Sequence, residues 1–339
     1  MTAPLRYSYA VHVLREDDAP VRQVPVEVDW EPAREAVRLR ALQDGLAGEE
    51  AFTLECTIDP AWHPSRGQPY LGGFRVRAQD TAPCEVDFSL GYFRELGAKI
   101  TSRLVAEGVL QKGDLIRCLP VAYPQAPEDA PRAGEGRIGR LAPPRIPVVQ
   151  GSLGDFPAGG NDAAYPVFIP ERVLEEVKLL TLAAEARETG GILLGLLGRD
   201  ATRGTLFAEV TGQLPARHTE ACATKLTFTP ATWTEVQAAL ELRTRGELMV
   251  GWWHSHPVRE WCKNCSEEKR AACAFAKGFL SEEDRLLHRT VFPRAYSLAL
   301  LANDVAAEGP TYSLFGWKAG VLEQREFSRL TEVRHGALG

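Results

Sequence analysis

The chain is predicted to be a two-domain protein of the α+β type, and three observations carry that reading. At 339 residues it is too long for one ordinary domain and suits two. Short β-branched and aromatic runs alternate with longer segments of helical period. Between about 123 and 165 the composition turns to proline and glycine with no sustained period, which divides the chain into 1–122, a linker, and 166–330. No internal repeat is visible.

In the first domain, YSYAVHVLR (7–15) and VPVEVDW (24–30) have the composition of strands. EPAREAVRLRALQ (31–43) follows with acidic and proline start signals and a helical period. AFTLECTID (51–59) and YLGGFRVRA (70–78) predict two more strands. GYFRELGAKITSRLVAEGVL (91–110) predicts an amphipathic helix, closed by Lys-Gly-Asp before the strand DLIRCLPVAY (114–123). This is a compact α+β domain without a catalytic constellation. Its lone histidines, His12 and His63, read as ordinary surface or structural residues. Within the linker the short apolar run IPVV is the one piece able to dock elsewhere.

The second domain opens with a long amphipathic helix, IPERVLEEVKLLTLAAEARE (169–188), which the glycine pair 190–191 is expected to end before the strand ILLGLL. TLFAEVTG (205–212) and KLTFTP (225–230) predict strands. ATWTEVQAALELRTRG (231–246) predicts a helix with glycine just past its end. ELMVGWWHSHP is a strand that runs into a proline. SEEDRLLHRT (281–290) opens a helix, and AYSLALLAND, TYSLFGWK and VLEQREF supply the closing strands.

Bulk properties exclude some functions. A net charge of -6 with no basic stripe argues against nucleic acid as the main partner. No apolar run is long enough to span a bilayer, and the first residues lack the ordered regions of a signal peptide. The seven cysteines are an odd count. Cys56, Cys84, Cys118 and Cys222 are scattered singly in strand-like sequence, as buried free thiols are. The expected compartment is therefore a reducing cytoplasm rather than one that builds disulfides.

The chemistry concentrates in the second domain. His254 and His256 lie two apart at the end of an apolar strand, so both imidazoles project to one face and can reach one ion. Pro257 then stops the ladder. Two neighbouring surface histidines would look the same. Ser281-Glu282-Glu283-Asp284 reads first as a helix-capping box, yet a first-turn Asp284 can also face a cleft and complete a His/His/Asp set. Three protein ligands leave a fourth position for water, as in catalytic zinc sites. Glu188, expected at a helix C-terminus where the dipole disfavours an acid, is a further hint.

Glu188 ahead of a glycine-rich apolar strand, then His-Ser-His-Pro, then Ser-x-x-Asp, resembles the JAMM (JAB/MPN+) metalloprotease motif, over roughly residues 166 to 325. The resemblance implies a prokaryotic-type JAB domain, layered like cytidine deaminase, with a central mixed sheet flanked by helices. It implies that His254, His256 and Asp284 ligate zinc, that Glu188 orients and deprotonates the attacking water, and that Ser281 helps stabilise the oxyanion. It further implies a zinc isopeptidase cutting the amide bond after the C-terminus of a ubiquitin-like protein, in deconjugation or precursor processing. Other proteins of the conjugation pathway are possible partners, and the first domain would recruit one of them or the substrate.

One departure stands out: in typical JAMM sequences the serine follows the second histidine closely, whereas here residues 258–280 intervene. Such an insertion beside the cleft is placed to be a lid or a substrate-reading loop. It carries Cys262, Cys265 and Cys273, which resemble part of a structural zinc site, with His288 or Cys222 as the fourth ligand. Three unligated thiols on a partly helical loop are the plainer alternative. Two rival functions stay open: a metal-bearing module that binds a ubiquitin-like tail without cutting it, and a small-molecule amidase.

Overall fold

The computed structural model describes residues 6–79, 83–125, 145–157, 165–216, 228–243 and 246–331. The chain divides into two compact units, Met1–Ala41 with Thr53–Pro144 and Leu42–Phe52 with Arg145–Gly339.

The first unit is α+β. It contains β1 (Tyr7–Arg15), β2 (Pro20–Val26), α1 (Glu31–Gln43, whose last residues group with the second unit), β3 (Cys56–Trp62), β4 (Leu71–Ala78), β5 (Glu85–Ser89), α2 (Arg94–Ala106) and β6 (Ile116–Pro124). Two three-stranded antiparallel sheets form, β2-β1-β6 and β3-β4-β5. Val11, Val13 and Val24 from the first sheet pack with Ile100 and Leu104 of α2, the apolar face that the helical period predicts. The strand expected over 24–30 stops at Val26. Beyond it the chain prepares the helix: Asp29 accepts from the Glu31 N–H at 3.1 Å, and Trp30 leaves the sheet to pack on Tyr9 and Phe74. The strand expected over 51–59 begins only at Cys56, because Ala51–Thr53 forms a helical turn. β5, a short edge strand of alternating charge, was not anticipated.

The second unit holds β7 (Val148–Gly151), β8 (Val167–Pro170), α3 (Glu171–Ala184), β9 (Gly190–Asp200), β10 (Leu206–Pro215), α4 (Pro230–Arg243), β11 (Leu248–His256), α5 (Val258–Trp261), α6 (Glu267–Ala271), α7 (Glu282–Val291), β12 (Leu298–Ala306), β13 (Gly309–Lys318), β14 (Val321–Arg325) and β15 (Ser328–Leu330). One mixed sheet runs β14-β13-β12-β11-β9-β10-β8-β15, with β7 parallel to the far half of β9. β7 and the buried Ile146 come from the stretch expected to be linker, so the IPVV run does dock, its two valines opening the strand. Of the segment 225–230, expected as a strand, residues 225–227 lie outside the described residues, and Pro230 already begins α4.

Helices cover both faces of this sheet. On one face Ile192, Leu194, Trp252 and Leu301 pack with Val236 of α4 and with Phe292, which follows α7. On the other, α3 buries Val173, Leu174 and Val177. Gln213 ties that helix down by donating to Glu176 and accepting from the Trp253 indole, each at 3.1 Å. Among the described residues no helix is long and apolar enough to cross a membrane.

Two departures from expectation shape the site. First, α3 ends at Ala184, with Glu185 at φ 53°, so Glu188 lies in the turn after the helix and not at its C-terminus. The glycine pair belongs to β9 instead. A Cβ on Gly191 would stand 2.3 Å from the Leu214 carbonyl oxygen and 2.6 Å from the Trp253 indole nitrogen, so that strand approach requires glycine. Second, β11 and β12 run parallel, which brings their C-terminal ends together and sets His256 beside Asn303.

Candidate metal centre

The apolar run of β11 drives the strand into the core, and its alternation carries two histidines there with it. Trp252, His254 and His256 point the same way, and the Trp252 ring stacks on His254 at 4.7 Å. Both imidazoles are buried, at 0% and 2% exposure. Their Nε2 atoms face each other at 3.1 Å.

The third side chain arrives from α7. Ser281 is the N-cap: its Oγ accepts from the Asp284 N–H at 3.1 Å, and Asp284 Oδ2 accepts from the Ser281 N–H at 2.8 Å. The same Oδ2 lies 3.5 Å from His254 Nε2. The capping box and the metal-facing carboxylate are thus both present, sharing one oxygen.

Ligand atoms of His254, His256 and Asp284 all lie within 4.8 Å of one another. Two nitrogen or oxygen donors on one tetrahedral zinc stand about 3.3–3.5 Å apart, close to the observed 3.1 and 3.5 Å. Two imidazoles and a carboxylate therefore fit a divalent metal ion.

Protonation states favour the same use. Burial pushes the His256 imidazole down to about 3, and neighbouring His254 adds to the effect. Burial would raise the Asp284 carboxyl, but His254 and the hydrogen bonds from Ser281 outweigh it and hold the group below the usual carboxylate range. A neutral imidazole and an ionised carboxylate are the ligand forms a metal needs.

Glu188 sits beside this group. Gly190 pairs with His254 across the β9–β11 ladder, which fixes the turn two residues upstream. Thr189 locks it further, donating its N–H to Ser255 Oγ at 3.0 Å while its carbonyl accepts from the Ser255 N–H at 2.8 Å. Glu188 is 6% exposed. Burial raises its carboxyl to about 7, against the pull of His254 and with a push from Asp284. All five residues singled out in the sequence thus gather at one end of β11.

Ser255 and Asn303 were missed. Ser255 is hidden in the motif as the residue between two ligands, yet its hydroxyl is what anchors the Glu188 turn. Asn303 is fully buried, neither amide atom having a hydrogen-bond partner, and it pairs with His256 across the β11–β12 ladder. A lone asparagine ending the apolar run of β12 was the available signal. It became meaningful only through the parallel pairing with β11.

The insertion is anchored on β12 at its start, where Arg259 Nε donates to both oxygens of Asp304 at 2.9 and 2.8 Å. Of the proposed fourth ligands to its cysteines, His288 is buried in the core, its Nδ1 accepting from the Trp252 indole at 3.0 Å and its ring against Trp317. Its position on the inner face of α7 gives it that role instead. Cys222 lies outside the described residues. The three thiols do not form a closed group as tight as the His/His/Asp set.

The chain matches no protein-family model and no curated protein. Among solved structures it is similar to the solution structure of a protein from Desulfitobacterium hafniense, at 19% identity and a TM-score of 0.36, covering 51% of this chain and 99% of that one. That likeness is too slight to bear on function.

Proposed function

We propose that the second unit is a JAMM-type domain and that the protein is a zinc-dependent hydrolase acting on the amide bond that follows the C-terminus of a ubiquitin-like protein. The observation that supports it most is the convergence of His254, His256 and Asp284 within 4.8 Å, with a buried glutamate held beside them. Such a constellation is what metal-assisted amide hydrolysis requires.

His254 and His256 would hold the ion through Nε2, and Asp284 through its carboxylate. When bound, zinc supplies Lewis-acid chemistry and makes water acidic enough to ionise near neutral pH. Glu188 accepts the proton of the attacking water and returns it to the leaving amine, acting first as base and then as acid. The Ser281 hydroxyl uses a lone pair to cap α7, and its hydrogen, which in the resting site favours the Asp284 carboxylate, turns to the developing oxyanion. Thr189 and Ser255 keep Glu188 in reach of the site.

A ubiquitin-like protein carrying a C-terminal extension tests this reading. Incubated with the full chain and zinc, the fusion should be cut at the junction, and a chelator should stop the reaction. An intact fusion that nonetheless binds the zinc-loaded chain would make the protein a recognition module rather than an enzyme.

A further inference from the structure

We propose that Cys262, Cys265 and Cys273 hold a second, thiophilic metal ion, a zinc clip that fixes the aromatic wall of the insertion beside His256. The inference is independent of what the His254 site does.

Geometry comes first. The Cys262 and Cys273 sulfurs are 3.9 Å apart and unbonded. A disulfide would bring them to about 2.05 Å. Two thiolates on one tetrahedral zinc, at about 2.3 Å each, stand about 3.8 Å apart. Cys265 closes a tight turn on Cys262, its N–H donating to the Cys262 carbonyl at 2.9 Å, and its exposed side chain would turn onto the shared ion, with solvent completing the fourth position. On binding a cation, each thiol would give its proton to solvent.

The insertion also needs such a clip. Between Cys262 and Leu280 none of the described side chains is fully buried, so the segment has no core of its own, and small excursions of this kind are held by disulfides or metals. It nevertheless carries a defined wall. Trp261 lies 4.9 Å and Phe279 5.1 Å from the His256 ring, and Phe275 packs on both at 5.6 and 5.8 Å. Cys262 directly follows Trp261, and Cys273 stands two residues before Phe275. An ion joining those cysteines closes the base of the wall.

The test uses the full chain, purified under reducing conditions without chelator and then loaded with cobalt(II) in place of zinc. The expected result is two metal ions per chain and a strong near-ultraviolet sulfur-to-cobalt charge-transfer band. That band should persist in His254→Ala/His256→Ala and vanish in Cys262→Ser/Cys273→Ser, each double variant keeping one ion. Cys265→Ser, exposed and harmless to packing, should weaken binding at the same site and keep the fold. Trypsin should cut after Lys263, Lys269 or Lys277 slowly in the metal-loaded chain and much faster in the cysteine variants. Absence of the band from the cobalt-loaded wild type, or metal content unchanged by the cysteine substitutions, would overturn the proposal. So would a Cys262–Cys273 disulfide that persists through the reducing purification.

Discussion

Replacing Glu188 with glutamine should leave zinc bound and lower turnover by about a hundredfold to ten-thousandfold, the usual worth of a positioned proton-transfer group. Glutamine keeps the size and the hydrogen-bonding capacity of the side chain, so the turn held by Thr189 and Ser255 should survive. A second signature separates this from general damage. Burial lifts the Glu188 carboxyl from its ordinary 4.5 to about 7, so in the metal-free fold it binds a proton that the unfolded chain has already released. Stability from this group is therefore complete below about 4.5 and is lost as pH rises through 7, by roughly 3 kcal/mol in all. In chelator, Glu188→Gln should lack that decline and match or exceed the wild-type thermal midpoint above neutral pH. Near-native turnover in the variant would mean that another group serves as the base.

Asp284→Asn should abolish zinc affinity and turnover together. The carboxylate accepts from the Ser281 N–H and faces His254 with the same oxygen, so capping and ligation must be told apart. Asparagine still offers a carbonyl oxygen to the cap, which limits the stability cost of lost capping to about 1 kcal/mol. It offers no negative charge to a cation. Thermal midpoints measured in chelator compare metal-free forms and should barely differ, whereas midpoints in zinc should diverge, because bound metal stabilises the fold by mass action. An active, zinc-replete Asp284→Asn would leave Asp284 a cap and nothing more.

How much of this was legible in the sequence depends on whether the cause was local. α1 and β1 match their predicted ranges because period and composition agree over their whole length. The two histidines could be placed on one face from strand alternation alone, and Ser281 and Asp284 from the helix-start pattern. Features set by distant partners were read less well. Glycines 190 and 191 look like a helix stop, and only their pairing with β11, with Leu214 and Trp253 close against Gly191, makes them strand residues. The run at 146–149 sits in linker-like composition, and it becomes β7 because β9 offers it an edge. Asn303 gains its place from a parallel pairing that no short-range pattern announces. Leu42–Phe52 likewise groups with the second unit through contacts such as Phe52 on Tyr296, far along the chain.

The most direct test of the central claim is the zinc content of the purified full chain against that of His254→Ala/His256→Ala, with the folded state of each confirmed in chelator. The double variant should lose one equivalent of zinc per chain; both rings are buried, so the cavity they leave should also lower its metal-free thermal midpoint, and zinc is counted at a temperature where the variant is still folded. Zinc content unchanged by the loss of both imidazoles would contradict the ligand assignment and the hydrolase reading built on it.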